Sequence, residues 1–196
     1  MTLAILASCA LTGLDAPPVR VEVHLAPGLP AFHVVGLPDA GVRESRERVR
    51  AALSTGGFDF PAGRLTVNLA PAGLPKESAR FDLPIAIGVL LASGQIELPG
   101  FAGRRRGDDA GPLARLVLAG ELSLTGALVP IAGALAIALS VARQRPGSEL
   151  IMPSASAAEA ARVPGVRVLG AGSLADVVAH LAGTAALAPA RPAPAA

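Results

Sequence analysis

Asn68-Leu69-Ala70-Pro71-Ala72-Gly73-Leu74-Pro75-Lys76-Glu77-Ser78-Ala79-Arg80-Phe81-Asp82-Leu83-Pro84-Ile85-Ala86-Ile87-Gly88 reads as a strand end, a polar turn and an apolar helix in succession. Leu65-Thr66-Val67-Asn68-Leu69 is the strand, and Phe81 to Ala92 is a buried helix ended by Gly94. Such units build α/β domains, and their turns often carry function. Lys76 is the only lysine in the chain and stands two residues before Ser78, which raises a Ser–Lys nucleophile. That chemistry also needs a base within hydrogen-bond reach and an oxyanion hole, which an i,i+2 pair in a loop does not guarantee. The competing reading is a polar turn leading into a helix.

Upstream, Arg20-Val21-Glu22-Val23-His24-Leu25 alternates strictly, with Val21, Val23 and Leu25 facing inward. Ala26-Pro27-Gly28-Leu29-Pro30 is a turn, and Ala31-Phe32-His33-Val34-Val35 a second strand. This hairpin-like start, with Leu3 to Leu11 as a third strand, implies an antiparallel part. Asp39 caps a helix running to about Thr55, whose apolar positions are Val42, Val49 and Leu53. Glu44 and Arg48 are an i,i+4 pair on it, and Arg43, Arg46 and Arg50 fall on one side.

Downstream, Gly100 to Gly111 is a polar loop containing Arg104, Arg105 and Arg106. Strands follow at 116–124, 149–153 and 166–169, and helices at 133–143, 156–162 and 174–181. That alternation implies parallel crossovers. The sum is a mixed α/β domain over residues 1–183. The Ala/Pro-rich stretch 184–196 has the composition of a semi-rigid linker.

Composition narrows the function classes. Hydrophobic residues make up 52% of the chain and aromatics 3%, so the core is Val, Leu, Ile and Ala. A net charge of +2 does not by itself argue for nucleic acid. The lone Cys9 excludes an internal disulfide and fits a reducing compartment. No basic residue precedes Arg20, so a signal peptide is not expected. The uncharged run between Glu121 and Arg143 is broken by Gly126, Pro130 and Gly133, so no membrane span is expected. Gly73 to Ser78 is no P-loop, because Pro75 stands where glycine must precede the lysine. His24 and His33, with Glu22 near, are read as surface or hydrogen-bonded residues rather than a metal site. His180 is read as solvated or as a helix-end partner.

Four stretches together resemble the N-terminal domain of the ComM/YifB family, the magnesium-chelatase-like AAA+ proteins of bacteria. They are Gly28 to Pro38, Val42 to Arg50, Val67 to Ala72 and Phe81 to Ala86. The resemblance runs in order to about Gly183. It implies a fold like domain 2 of ribosomal protein S5, shared with the proteolytic domain of Lon protease. It also implies a role in ATP-driven branch migration of DNA during natural transformation. ATP and magnesium are expected only for an AAA+ module that this chain does not contain.

Aligned with the Lon pattern, Asp82 takes the nucleophile position and Leu135 the lysine position, while Lys76 and Ser78 lie outside both. The resemblance therefore implies a protease-like fold without its dyad, and no catalytic, cofactor or metal residues in this chain. The implied partners are its own ATPase module, ring neighbours and DNA, in the cytoplasm and with no membrane. Contacts to DNA or a partner are expected at Arg43, Arg46, Arg50, Arg104, Arg105 and Arg106. The alternatives are a Ser–Lys peptidase using Ser78 and Lys76, and an interaction adaptor without DNA contact.

Overall fold

Over residues 18–26 and 64–70, alternating Val and Leu residues bury one face of the strand and leave the other to more polar side chains. The computed structural model describes residues 2–99 and 112–194. β1 (Thr2–Cys9) and β2 (Pro18–Ala26) pair antiparallel along their whole length, from Thr2 opposite Leu25 to Cys9 opposite Pro18. β3 (Ala31–Val35) follows, then the short α1 (Ala40–Arg43), α2 (Ser45–Thr55) and β4 (Arg64–Ala70). A single 3-10 turn, Ala79–Phe81, leads into α3 (Asp82–Ala92). The second half holds β5 (Leu116–Leu118), β6 (Glu121–Leu122), β7 (Leu128–Val129) and α4 (Ala134–Gln144). It ends with β8 (Glu149–Pro153), α5 (Ser154–Ala160), β9 (Arg167–Ala171) and α6 (Leu174–Leu181).

Seven strands form one mixed sheet in the order β3-β4-β2-β1-β5-β8-β9, and β6 and β7 form a separate ribbon. The mixed α/β expectation holds. The parallel half is as the alternation implied: β1 pairs parallel with β5, β5 with β8, and β8 with β9. The first half differs in one respect. β3 is not the hairpin partner of β2, because β4 lies between them, antiparallel to β2 and parallel to β3. Ala31 N–H donates to Gly63 O at 3.1 Å, which sets β3 against the start of β4.

α3 lies across β1 and β2, and all eleven of its residues are buried, so it has no polar face. Together with α2 and α6 it covers one face of the sheet. α4 and α5 cover the other face, but only over its β1-β5-β8-β9 half. Two further differences concern chain breaks. The helix expected from Asp39 to Thr55 is interrupted at Glu44, which caps both α1 and α2. The strand expected over 116–124 stops at Leu118 and resumes after Gly120 in the ribbon.

The Ala/Pro-rich stretch lies along the body over its described part, residues 184–194. Leu187 N–H donates to His180 Nδ1 at 3.0 Å, and Ala190 N–H to Val168 O at 2.8 Å. Among the described residues no helix is long and apolar enough to cross a membrane.

Candidate functional site

The turn between β4 and α3 brings most of the sequence-flagged residues together. Asp39, the extended residue before α1, ties this turn to the start of α1. Its Oδ1 accepts from Val42 N–H at 2.7 Å as a helix cap, and its Oδ2 accepts from Ser78 N–H at 3.0 Å. Ser78 is held at φ +66°, a left-handed conformation that a non-glycine residue adopts only under constraint.

Lys76 and Ser78 engage different partners. Lys76 is out of solvent contact, and its Nζ donates to Pro71 O within the same turn. Burial pushes its ammonium below the ordinary lysine value. Ser78 Oγ accepts from Arg80 Nε at 3.0 Å. The turn also does not fit a nucleotide phosphate, since Lys76 points back into its own loop and Pro75 supplies no amide.

Asp82 opens α3 and is fully buried. Its carboxylate takes Ser45 Oγ at 2.6 Å, Arg48 Nε at 2.6 Å, Arg48 Nη2 at 3.1 Å and Leu122 N–H at 3.2 Å. Arg48 Nη2 also donates to Gly41 O at 2.6 Å, so one guanidinium joins α1, α2 and α3. Burial pushes the Asp82 carboxyl up against the pull of Arg48 and Ser45, and the reciprocal hydrogen bonds push Arg48 up. With its oxygens filled by four donors and no solvent contact, Asp82 acts as a staple among three helices. Leu135, the other position flagged by the Lon pattern, is 39% exposed in the first turn of α4.

The spacing of Glu44 and Arg48 does bring them together, at 3.6 Å, but that contact is solvent-facing and secondary. Sequence reasoning missed what Arg48 does. The signal was present: Ser45, Arg48 and Ala52 share the buried side of α2 with Val49, and a charge on an apolar stripe needs a buried partner. Asp82 is the one acid in the run from Phe81 to Ala92. Arg80 was missed too. It is 4% exposed, and its Nη1 donates to Ala132 O at 3.3 Å, tying the entry of α3 to the entry of α4.

Arg43, Arg46 and Arg50 are all exposed on the outer side of α1 and α2. Arg46 meets Glu47 at 3.7 Å, and Arg50 stacks over the Phe60 ring at 5.2 Å from its centroid. Arg104, Arg105 and Arg106 lie outside the described residues. His24 and His33 flank Thr66 in register across β2, β4 and β3. Glu22 is engaged by Asn68 Nδ2 at 2.8 Å and Arg20 at 2.7 Å, and among the described residues no three potential ligands cluster. His180 is neither solvated nor a partner of its own helix end: it is mostly buried, its Nδ1 accepts from Leu187 N–H beyond α6 at 3.0 Å, and its Nε2 stands 3.7 Å from Glu149 of β8.

Residues 21–156, more than half of the chain, match the family described as subunit ChlI of Mg-chelatase. Among curated proteins, competence protein ComM of Haemophilus influenzae is 45% identical over 183 residues, 93% of this chain and 33% of that protein. The uncharacterized protein YifB of Salmonella typhimurium is 42% identical over 187 residues, 95% of this chain and 34% of that protein. YifB of Escherichia coli is 41% identical over 187 residues, with the same coverage of 95% and 34%. The chain spans about a third of the length of these curated relatives. With its mixed sheet and the buried staple at Asp82, the chain belongs to the ChlI-type Mg-chelatase family, alongside YifB and ComM.

Proposed function

We propose that this chain is a non-catalytic, Lon-like positioning domain of a cytoplasmic ring ATPase that acts on DNA during uptake and recombination. In this reading ATP and magnesium act in the remaining two thirds of the protein, which also supplies the ring neighbours. The observation that carries it is the outer face of α1 and α2. Arg43, Arg46 and Arg50 stand exposed there, while Arg48 locks the same helices to Asp82 from behind. Guanidiniums grouped on one exposed helical face neutralise phosphates without reading bases. The competence protein among the relatives supports the setting.

The test is binding of single-stranded and branched DNA by the full-length protein across a salt series. Changing Arg43, Arg46 and Arg50 together to Gln lowers affinity for every sequence alike and flattens the salt slope by up to about three counterions. Unchanged affinity and slope would overturn the DNA reading. An adaptor role is favoured by one other observation, the exposed Leu135 and Leu139 one turn apart on α4. It takes the lead if the arginine variant binds DNA normally while Leu139→Glu loses a protein partner.

A further inference from the structure

β3 is the outermost strand at one end of the seven-stranded sheet, and one bond fixes its phase. Ala31 N–H donates to Gly63 O at 3.1 Å, so in this parallel ladder Ala31, His33 and Val35 turn their backbone groups toward β4. Phe32 and Val34 turn theirs outward, where no described strand pairs with them. Natural edges of this kind are usually guarded by a charge. Residues 25–38 contain no Asp, Glu, Lys or Arg. The side chains of Phe32 and Val34 pack on the core, whereas His33 and Val35 are exposed on the part of the sheet that α4 and α5 leave uncovered. Leu29 and Leu37 flank the strand at 84% and 56% exposure. Leu37 is held at φ +61°, a costly position for a bulky residue, with its carbonyl accepting from Lys76 N–H at 3.1 Å.

The segment Leu29-Pro30-Ala31-Phe32-His33-Val34-Val35-Gly36-Leu37 is close to a palindrome about His33. Laid antiparallel against a second copy of itself, it sets Phe32 opposite Val34, Ala31 opposite Val35 and Leu29 opposite Leu37. The phase of the backbone agrees with that register. Phe32 and Val34, whose groups point outward, meet as pairs that exchange both hydrogen bonds. A slip of one residue would set outward groups against inward ones. Each such pair also places an aromatic ring beside a β-branched side chain. Pro30, which has no N–H, falls at the end of the ladder, where a missing donor costs least.

We propose that β3 is a self-recognition edge, through which two copies of this chain pair antiparallel about a two-fold axis at His33. An uncharged edge fits an uncharged partner, and the edge itself is one. The other end of the sheet is closed to such a partner, because Pro189 bridges to Leu169 and Ala190 N–H donates to Val168 O on β9. Head-to-tail growth from β3 to β9 is thereby blocked, and a closed pair results. Five residues a side bury less than the roughly 1,200 Å² at which stable interfaces begin, so the pairing is reversible. It strengthens wherever copies are already held together. It does not depend on the DNA reading.

The experiment is sedimentation equilibrium of the intact chain at concentrations up to about 1 mM. The parent gives a reversible monomer–dimer equilibrium. His33→Asp and His33→Lys change an exposed side chain, and each sets two like charges face to face at the axis. Each alone raises the dimer Kd by about tenfold or more. Mixed together, the two variants form a mixed dimer at least as tight as the parent, which also shows that both are folded. Hydrogen exchange at the Phe32 and Val34 amides slows as the parent concentration rises. A parent that stays monomeric, variants that dimerise like the parent, a mixture that stays monomeric, or exchange at these two amides that ignores concentration each overturns the proposal.

Discussion

At the scale of single residues, the Asp82–Arg48 contact is the strongest polar commitment in the chain. Replacing one partner leaves the other charge buried. Asp82→Asn is expected to lower unfolding free energy by about 3 kcal/mol or more, read by chemical denaturation. The pair Asp82→Leu with Arg48→Met is expected to recover much of that loss, because two apolar groups leave no stranded charge. Cys9 gives a pH signature. Burial pushes its thiol from 9.0 up to about 11, against the pull of Ser140 and the charges of Arg145 and Arg80. The folded state keeps its proton where the unfolded chain has lost it. Stability present below pH 9 is therefore lost as the pH rises toward 11, by roughly 2–3 kcal/mol for two pKa units. Cys9→Ala flattens that slope in a denaturation series over the same window. The sequence carried the position of Asp82 through its resemblance to Lon, but not its partner. A spacing of four offered Arg48 the nearer acid, Glu44, and local spacing cannot weigh an acid 34 residues away.

At the scale of elements, α3 shows why the central strand–turn–helix unit could be read from residues alone. An unbroken apolar run after a turn has nowhere to lie but inside. Its one glycine within the helix marks the closest approach to the sheet. A Cβ at Gly88 would stand 2.5 Å from Val23 Cγ2 and 3.0 Å from Leu6 Cδ1. Alanine is the better helix former by about 1 kcal/mol, yet the clash reverses the sign. Gly88→Ala is expected to destabilise by about 1–3 kcal/mol, measured as a lowered melting midpoint. Other elements were less legible. The insertion of β4 between β2 and β3 depends on pairing across more than thirty residues, from Val23 to Val67 for instance, and no turn residue encodes it. The break at Gly120 has a local cause that only the fold supplies. Its N–H donates to Arg80 O at 2.8 Å and its O accepts from Leu83 N–H at 3.0 Å, so the chain leaves the sheet there to close over the start of α3.

At the scale of the whole molecule, the sheet has two unlike edges. β9 is partly covered, since Pro189 bridges to Leu169 and Ala190 bonds to Val168, with His180 holding Leu187 alongside. Amide exchange at Leu187 and Ala190 is expected to be slower than at Ala188 and Ala186, and His180→Ala is expected to erase the protection at Leu187. Composition read this stretch as linker, because Ala and Pro carry no periodicity; the anchoring comes from backbone groups that composition does not report. β3 carries no such strap among the described residues. The buried turn at Lys76 has a further consequence at this scale. An ammonium that is the sole lysine of the chain and has no solvent contact leaves this domain without a reactive side-chain amine. Acylating reagents and amine crosslinkers will pass over Lys76 while the turn from Pro71 to Lys76 stays closed. Slow acylation at Lys76 then becomes a clock for the opening of that turn.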